Sequence, residues 1–515
     1  MKIIRSVLLC VITISYMFVS YMFVKVINIL CMPVKVVAEY KHPELRSLGM
    51  SFNQNLIVAS NRGPGINDNA KYASGGLVQV LLPELLNVAE HLQKSQSDNR
   101  VFWICGNRED ETDEISTSEY KIGEISLAAI NIPTDIYNDA YNSISNRFLW
   151  FLHHGLFDFY AKLNFDDIFF RAWENYRKYN RLFAEHIARI APSDSSVLIQ
   201  DYHLSLAPQM LAEIRSDVKI SHFSHTPFAK LNDLKQIPHV IAEELLRGIN
   251  SLNTKAGFHT PIWESRFKEA YKFYLHSVPD TFNIALGVDP KSLEAVKASD
   301  SFKTNQDSIR KESESYTLIV RSDRLEPSKN ILAGFNAFEK FLENNPKYLE
   351  KVIFKAYIYP SRTEIPEYFD LSKKVVDTVN NINSKYETPR WIPIHLHIQN
   401  DRDVSLAGLS VADIVMVNPI ADGLNLVVKE AIVLNENDCV IILSKNAGAF
   451  YELKDFVVGV DPEDIKQTSE AILTAVNSNK VKSSKNLKLL KQLCIANDAD
   501  VWFRKLISIS TKQKS

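Results

Sequence analysis

The chain has 515 residues, 46% of them apolar and 23% charged, which is too long for one ordinary core, implies two or three domains and excludes disorder throughout. A formal net charge of −2 supplies no general basic field, so no nucleic-acid partner is expected and any anion site must be local. The five scattered cysteines (Cys10, Cys31, Cys105, Cys439, Cys494) make no CxxC pair or Cys/His spacing, which points to a reducing compartment and away from structural zinc or a disulfide framework.

In chain order the first feature is residues 3–38, strongly apolar and broken only by Arg5, Lys25 and Lys35; Ser6 to Val24 alone could span a bilayer. Three readings stand side by side for residues 1–49: a membrane anchor, upstream sequence that is not translated, or a signal peptide, for which no small-residue cleavage site is evident. Met50 precedes MSFNQNLIVASNR, where an enzyme could begin on its first strand. Short Ile/Val-rich runs follow: NLIVAS, SVLIQD, VKISHFS, YTLIVRSD, KVIFKAYIY, DIVMVNP and CVIILS. They read as buried strands, and amphipathic helical patterns such as LVQVLLPELLNVAEHL lie between them. Strand followed by helix, repeated, predicts α/β architecture with parallel sheets. The polar stretch 291–315 divides the chain, giving halves at 50–290 and 316–490, with a terminal helical segment at 491–515 expected to pack back on the first half. Two such halves face ligands with the carboxyl ends of their strands.

Four segments could carry chemistry. In SNRGPGINDNAKYASGGLVQV a strand ends at Ser60, Arg62 occupies the following loop, and Gly75-Gly76 opens a helix whose N–H groups suit an anion; a plain left-handed turn with a surface arginine would look the same. VLIQDYHLSLAP and KISHFSHTPFA put Asp201, His203, His222 and His225 at two successive strand ends, although lone histidines are mostly core or surface groups. RSDRLEPSKN sets Arg324 and Lys329 just past a strand, two cations suited to a departing diphosphate or simply a solvated turn. NPIADGLNLVVKEAIV brings Asp422 and Gly423 to the start of a helix, with Glu430 two turns along; the alternative is an Asp cap and an exposed Lys/Glu pair.

Together and in this order these segments resemble glycosyltransferase family 20, the trehalose-6-phosphate synthases, from about Ile57 to about Leu453; YNSISNRFLWFLHHGL, GFHT, LGVDP, YPSRTEIPEY and LSKNAGAFYEL extend the match. The resemblance implies the GT-B fold, two Rossmann-like doubly wound domains facing across a cleft, with the acceptor on the first and the nucleotide sugar on the second. It implies that Arg62, Tyr141 and Arg362 grip an acceptor phosphate, that Trp150 is an acceptor-side aromatic, and that Asp201 contacts the acceptor sugar. On the donor side it implies Gly76 in a loop over the pyrophosphate, His225 at the sugar O6, and Arg324 and Lys329 on the leaving diphosphate. Asp422 would hold the donor sugar's hydroxyls, Gly423, Leu424, Asn425 and Leu426 would line the diphosphate turn, and Glu430 would bind ribose.

The implied reaction retains anomeric configuration without a metal or other cofactor, making trehalose 6-phosphate from UDP- or GDP-glucose and glucose 6-phosphate in the cytoplasm. A membrane tether through residues 1–49 and a homo-oligomer are compatible with this. Three departures bear on the acceptor: FWICGN holds only Trp103 where the family has WxGWSG, RLEPSKN replaces RLDYxKG, and DGLNLVVKE replaces DGMNLVAKE. They resemble a branch that includes a pseudo-glycosyltransferase. A relative using another phosphorylated acceptor, such as glycerol 3-phosphate, and a non-catalytic regulatory paralogue are therefore the alternatives.

Overall fold

A computed structural model describes residues 52–64, 76–107, 114–160, 162–251, 253–362 and 365–511 of the chain. The apolar segment 1–49 and most of the loop before Gly76 lie outside the described residues. The seven Ile/Val runs are all strands, and seven more join them. The first sheet contains β1 (Leu56–Ser60), β2 (Val101–Asn107), β3 (Ser116–Ile122), β4 (Ile125–Asn131), β5 (Ser196–Gln200), β6 (Lys219–Ser224), β7 (Thr254–Phe258) and β8 (Thr281–Asn283), in the order β3-β4-β2-β1-β5-β6-β7-β8. Every neighbouring pair is parallel except β3 and β4. The second sheet contains β9 (Thr317–Arg324), β10 (Val352–Tyr359), β11 (Ile394–Ile398), β12 (Ile414–Val417), β13 (Val440–Ser444) and β14 (Val458–Val460), all parallel, in the order β11-β10-β9-β12-β13-β14.

The central strands β1, β5 and β12 are buried along their whole length, which is why their sequences read as unbroken apolar runs: helices cover both faces. The antiparallel edge strand β3 (STSEYKI) is half-exposed to exposed and carries Glu119 and Lys121, charges that discourage pairing with another chain. Each sheet has its own core, centred on residues such as Ile57, Phe148, Trp173 and Phe258 in the first, and Ile319, Phe338, Phe354 and Ile442 in the second.

In each sheet the strand order reverses beside the first strand of that half, between β1 and β5 and between β9 and β12. Loops leave such a point in opposite directions and open a crevice at the strands' carboxyl ends. Arg62 and Asp201 follow β1 and β5, while Arg324 ends β9 and Asp422 follows β12. The topology therefore delivers the singled-out residues to two facing crevices.

The polar divider is not a loop. Residues 291–315 form most of the helix Pro290–Ala298 and all of Asp300–Ser313, whose Leu293, Phe302 and Ile309 enter the second core. The helix Ala499–Thr511 lies against β5, β6 and the helix Gly76–Lys94, with Trp502 buried edge-on to Phe223 at 5.5 Å. Ile365 and Tyr368, although they follow β10, belong to the first core.

Candidate active site

Arg62 extends from the end of β1 and donates to the hydroxyl of Tyr141. Tyr141 sits on the wide π-helix Asp139–Leu149, a helical form that recurs at functional sites because its extra residue per turn redirects side chains. The ring of His203 stacks on Tyr141 at 5.6 Å. Burial first, then Arg362 and Arg62, drive the His203 ring well below its ordinary pKa, so both guanidinium groups bear on one point. Arg362 donates to the hydroxyls of Tyr368 (2.7 Å) and Tyr202 (3.3 Å). Its guanidinium lies 4.3 Å from the centre of the Trp150 ring, and that of Arg324 lies 5.5 Å from the same ring. Trp150 stacks on His154 at 4.0 Å, and its indole N–H is buried without a partner. Arg62, Tyr141, Trp150 and Arg362, from three separate segments, thus form one cationic, aromatic pocket.

Asp201 and His225 stand beside it. Asp201 has a positive φ of 70°, turning the chain as it leaves β5, and its Oδ1 accepts from the backbone N–H of His225 at 3.1 Å. Burial pushes its carboxyl up to about 6, against the opposing pull of the Tyr202 and His225 amides and of Arg362 and Arg324. The His225 ring is held from both sides, with Nδ1 3.1 Å from Nε2 of His259 and Nε2 2.9 Å from Oε1 of Gln200. Burial, with His259 adding to it, lowers the His225 pKa well below its ordinary value, and burial lowers those of His222 and His259 to about 4 and about 3. His222 directs Nε2 at the Asp201 carbonyl at 3.1 Å, which makes it a support for that turn.

On the second sheet, Lys329 Nζ lies 2.5 Å from Oδ2 of Asp422. Burial would raise Asp422, but Lys329 outweighs it and holds the carboxyl down to about 2; burial likewise would lower Lys329, and Asp422 and Asp323 raise it instead. Arg324 is half-exposed and pairs at 2.7 Å with Glu326, whose side chain is wholly buried. Asp422, Gly423, Leu424 and Asn425 form the turn into the helix Leu426–Leu434. Asn425, at φ 76°, caps that helix by accepting from Val428 N–H (3.1 Å) and donates to Asp422 (3.0 Å). The first N–H groups of this helix therefore face the same crevice as Arg324 and Lys329, the arrangement in which a diphosphate is stabilised.

The two halves touch at Gly423. A Cβ there would fall 1.9 Å from the carbonyl oxygen of His225, and the Gly423 carbonyl accepts from the Trp263 indole at 2.9 Å. Glycine is required here by closeness of approach.

Gly76 begins the helix Gly76–Lys94, with no described residue within 4 Å of where its Cβ would stand, and Gly75 is outside the described residues. Glu430 is engaged by Arg402 at 3.0 Å, a partner the sequence reading did not foresee, and burial raises its pKa in spite of that arginine. Tyr202, Tyr368, Glu326, Gln200, His259 and Trp263 were missed. All but Trp263 lie within segments quoted above: Gln200 and Tyr202 in VLIQDYHLSLAP, His259 in GFHT, Glu326 in RLEPSKN and Tyr368 in YPSRTEIPEY. Among the described residues no three His, Cys, Asp or Glu side chains are grouped to hold a metal ion.

The UDP-forming alpha,alpha-trehalose-phosphate synthase of Schizosaccharomyces pombe is 31% identical over 466 residues, covering 84% of this chain and 86% of its own length. That of Candida albicans is 29% identical, covering 84% and 92%. Among solved structures, the UDP-forming alpha,alpha-trehalose-phosphate synthase of Burkholderia xenovorans in complex with glucose-6-phosphate superposes with a TM-score of 0.75 at 24% identity, over 89% of this chain and all of its own. The trehalose-6-phosphate structure from E. coli bound with UDP-2-fluoro glucose gives 0.77 at 23%, over 89% and 99%. These likenesses establish the GT-B fold. The sequence profile of glycosyltransferase family 20 matches residues 54–511, nearly the whole described chain, and with it two parallel sheets whose switch points face each other across Trp150: the chain belongs to glycosyltransferase family 20.

Proposed function

We propose that the chain transfers glucose from UDP-glucose to glucose 6-phosphate, forming trehalose 6-phosphate with retention. The observation that carries this reading is the pair of guanidinium groups at Trp150. Arg362, with Arg62 and Tyr141 beyond it, suits a phosphate on the acceptor, while Arg324 leads to Lys329 and the Leu426–Leu434 helix, which suit a diphosphate on the donor. Two anion sites around one indole ring bring a leaving phosphate oxygen and an acceptor hydroxyl close together. The UDP-forming relatives favour uridine as the base.

In this reading the bond from sugar C1 to the diphosphate oxygen breaks as the acceptor hydroxyl adds to C1 on the same face. The hydroxyl proton passes to the departing phosphate oxygen. Arg324, Lys329 and the helix N–H groups stabilise the charge that grows on the diphosphate, where fixed donors act with little reorganisation. Asp422 accepts from donor-sugar hydroxyls with the oxygen capacity left by Lys329, and Asp201 accepts from the acceptor sugar. His225, neutral, meets the donor O6 by exchanging one of its two ring contacts, to His259 or to Gln200, for that oxygen. Glu430, with Arg402, takes the ribose. Gly76 belongs to the loop over the pyrophosphate.

Purified protein incubated with UDP-, GDP- and ADP-glucose against glucose 6-phosphate, glycerol 3-phosphate and free glucose tests the proposal. Mass spectrometry should find a disaccharide phosphate with UDP-glucose and glucose 6-phosphate; a product only with another acceptor would replace this assignment. We place the catalytic halves in the cytoplasm, where both substrates are made. Among the described residues no helix is long and apolar enough to cross a membrane, and residues 1–49 are left as the tether to be tested by cell fractionation of the full chain.

A further inference from the structure

Glu326 is buried beneath both anion sites. Its side chain has no exposed surface, yet Oε1 lies 2.7 Å from Nη1 of Arg324 and 3.7 Å from Nη1 of Arg362. Ser361 Oγ donates to the same oxygen at 3.2 Å. Oε2 is buried with no hydrogen-bond partner. Lys329 and His154 are the other ionisable groups that act on it, and together with Arg324 and Arg362 they keep it below the usual carboxylate range although burial raises it. An ionised carboxylate with half its acceptor capacity unused is costly to bury. A neutral side chain could fill the space, so the charge itself calls for a role.

We infer that Glu326 is a positioning residue that couples the donor and acceptor subsites by sharing one negative charge between Arg324 and Arg362. This rests on the proposed function, in which those arginines meet the diphosphate and the acceptor phosphate. Without Glu326, two guanidinium groups would stand against one indole ring with no counter-charge, and both products, a nucleoside diphosphate and a sugar phosphate, would be held tightly. With it, each arginine stays aimed in the absence of ligand, and the three guanidinium groups of Arg62, Arg324 and Arg362 are left with two net positive charges. Each anion is held loosely enough to leave. Lys329 and Asp422 already cancel one another and do not change this count.

The residue works by charge, which separates its effect from that of a structural prop. Glu326→Gln keeps shape and hydrogen-bonding ability but removes the charge. It should bind UDP and glucose 6-phosphate each about tenfold more tightly by calorimetry, the scale of one unit charge near a partly screened anion, while kcat falls because product release slows. A prop would give the opposite sign, weaker binding with lower kcat. Glu326→Asp, which keeps the charge, should stay near the parent in UDP affinity. Arg324→Gln gives a second test that does not depend on the folding of the Glu326 variants. With Arg324 gone the carboxylate bears on Arg362 alone, so glucose 6-phosphate should bind several-fold more weakly even with no nucleotide present. Unchanged or weaker binding by a folded Glu326→Gln, or unchanged glucose 6-phosphate affinity in Arg324→Gln, overturns the inference. If the parent protein itself binds neither UDP nor glucose 6-phosphate, the proposed function fails instead.

Discussion

Replacing Arg362 by Ala should damage acceptor recognition far more than donor recognition. Arg362 follows β10, is largely buried, and has a φ of 47°. Alanine inherits the same left-handed backbone that arginine already tolerates, so no new strain is added. Within the fold the loss is limited. Tyr202 and Tyr368 both lose the donor to their hydroxyls, but Tyr202 still donates to Asn146 at 2.8 Å and Glu326 still pairs with Arg324 at 2.7 Å. The structural cost should be about 1–2 kcal/mol, two hydrogen bonds and some packing. The acceptor phosphate, by contrast, loses hydrogen bonds to a charged group, worth about 1.5–3 kcal/mol, or roughly 10- to 150-fold in KM. Initial rates against glucose 6-phosphate at saturating UDP-glucose measure that rise, and calorimetry with UDP alone should show a smaller, several-fold loss, because Glu326 then bears on Arg324 alone. The double variant Arg62→Ala/Arg362→Ala should also lose its preference for glucose 6-phosphate over free glucose. The reasoning is refuted if the double variant rejects free glucose as firmly as the parent, or if UDP affinity falls as steeply as acceptor affinity.

Other variants probe the remaining parts. Lys329→Ala should cut kcat by about 100-fold or more, the scale of a lost partner for developing charge; near-parental turnover in steady-state assays would remove Lys329 from the diphosphate site. Gly423→Ala places a methyl group 1.9 Å from the His225 carbonyl and should abolish turnover while circular dichroism still reports a folded chain, since the clash is between the two halves. Glu84, buried in the helix Gly76–Lys94, is pushed up to about 7 by burial and then by Asp500 and Asp498. Its folded-state pKa therefore lies above the unfolded value, so the folded chain binds the extra proton between about pH 4.5 and 7 and stability declines as pH rises through that window. Glu84→Gln should raise the Tm at pH 8, by a contribution on the order of 1–3 kcal/mol, and change little at pH 4; an equal shift at both pH values would contradict this.

What the sequence revealed, and what it hid, follows from range. The seven runs read as strands are those buried on both faces, where β-branched residues are continuous. Four of the seven others lack that signal for particular reasons. β3 is an exposed edge, β8 and β14 are three residues long, and β7 (TKAGF) contains Gly257, whose missing side chain makes room for Phe223 and Phe282. Site residues at strand ends were legible because a strand, a turn and a helix start are local patterns. Their partners were not. Arg362 meets Tyr202 across 160 positions, and Trp263 meets Gly423 across the same separation. Glu430 likewise has a partner that its own segment does not show: Arg402, 28 positions away on another helix.

The helix Ala499–Thr511 has a consequence for how the protein is made. Trp502 covers Phe223 and comes within 6.0 Å of His225, and the carbonyl of Ile509 accepts from Lys255 at 2.9 Å. The first half is thus finished by residues that leave the ribosome roughly two hundred positions after its last strand, a delay of about 10–40 s at ordinary elongation rates. During that interval β5 and β6 lack their cover, and the nascent first half carries an apolar flank that a chaperone could recognise. Nonsense mutations anywhere in the second half would therefore release a first half that is incomplete at its catalytic wall, rather than a stable single domain.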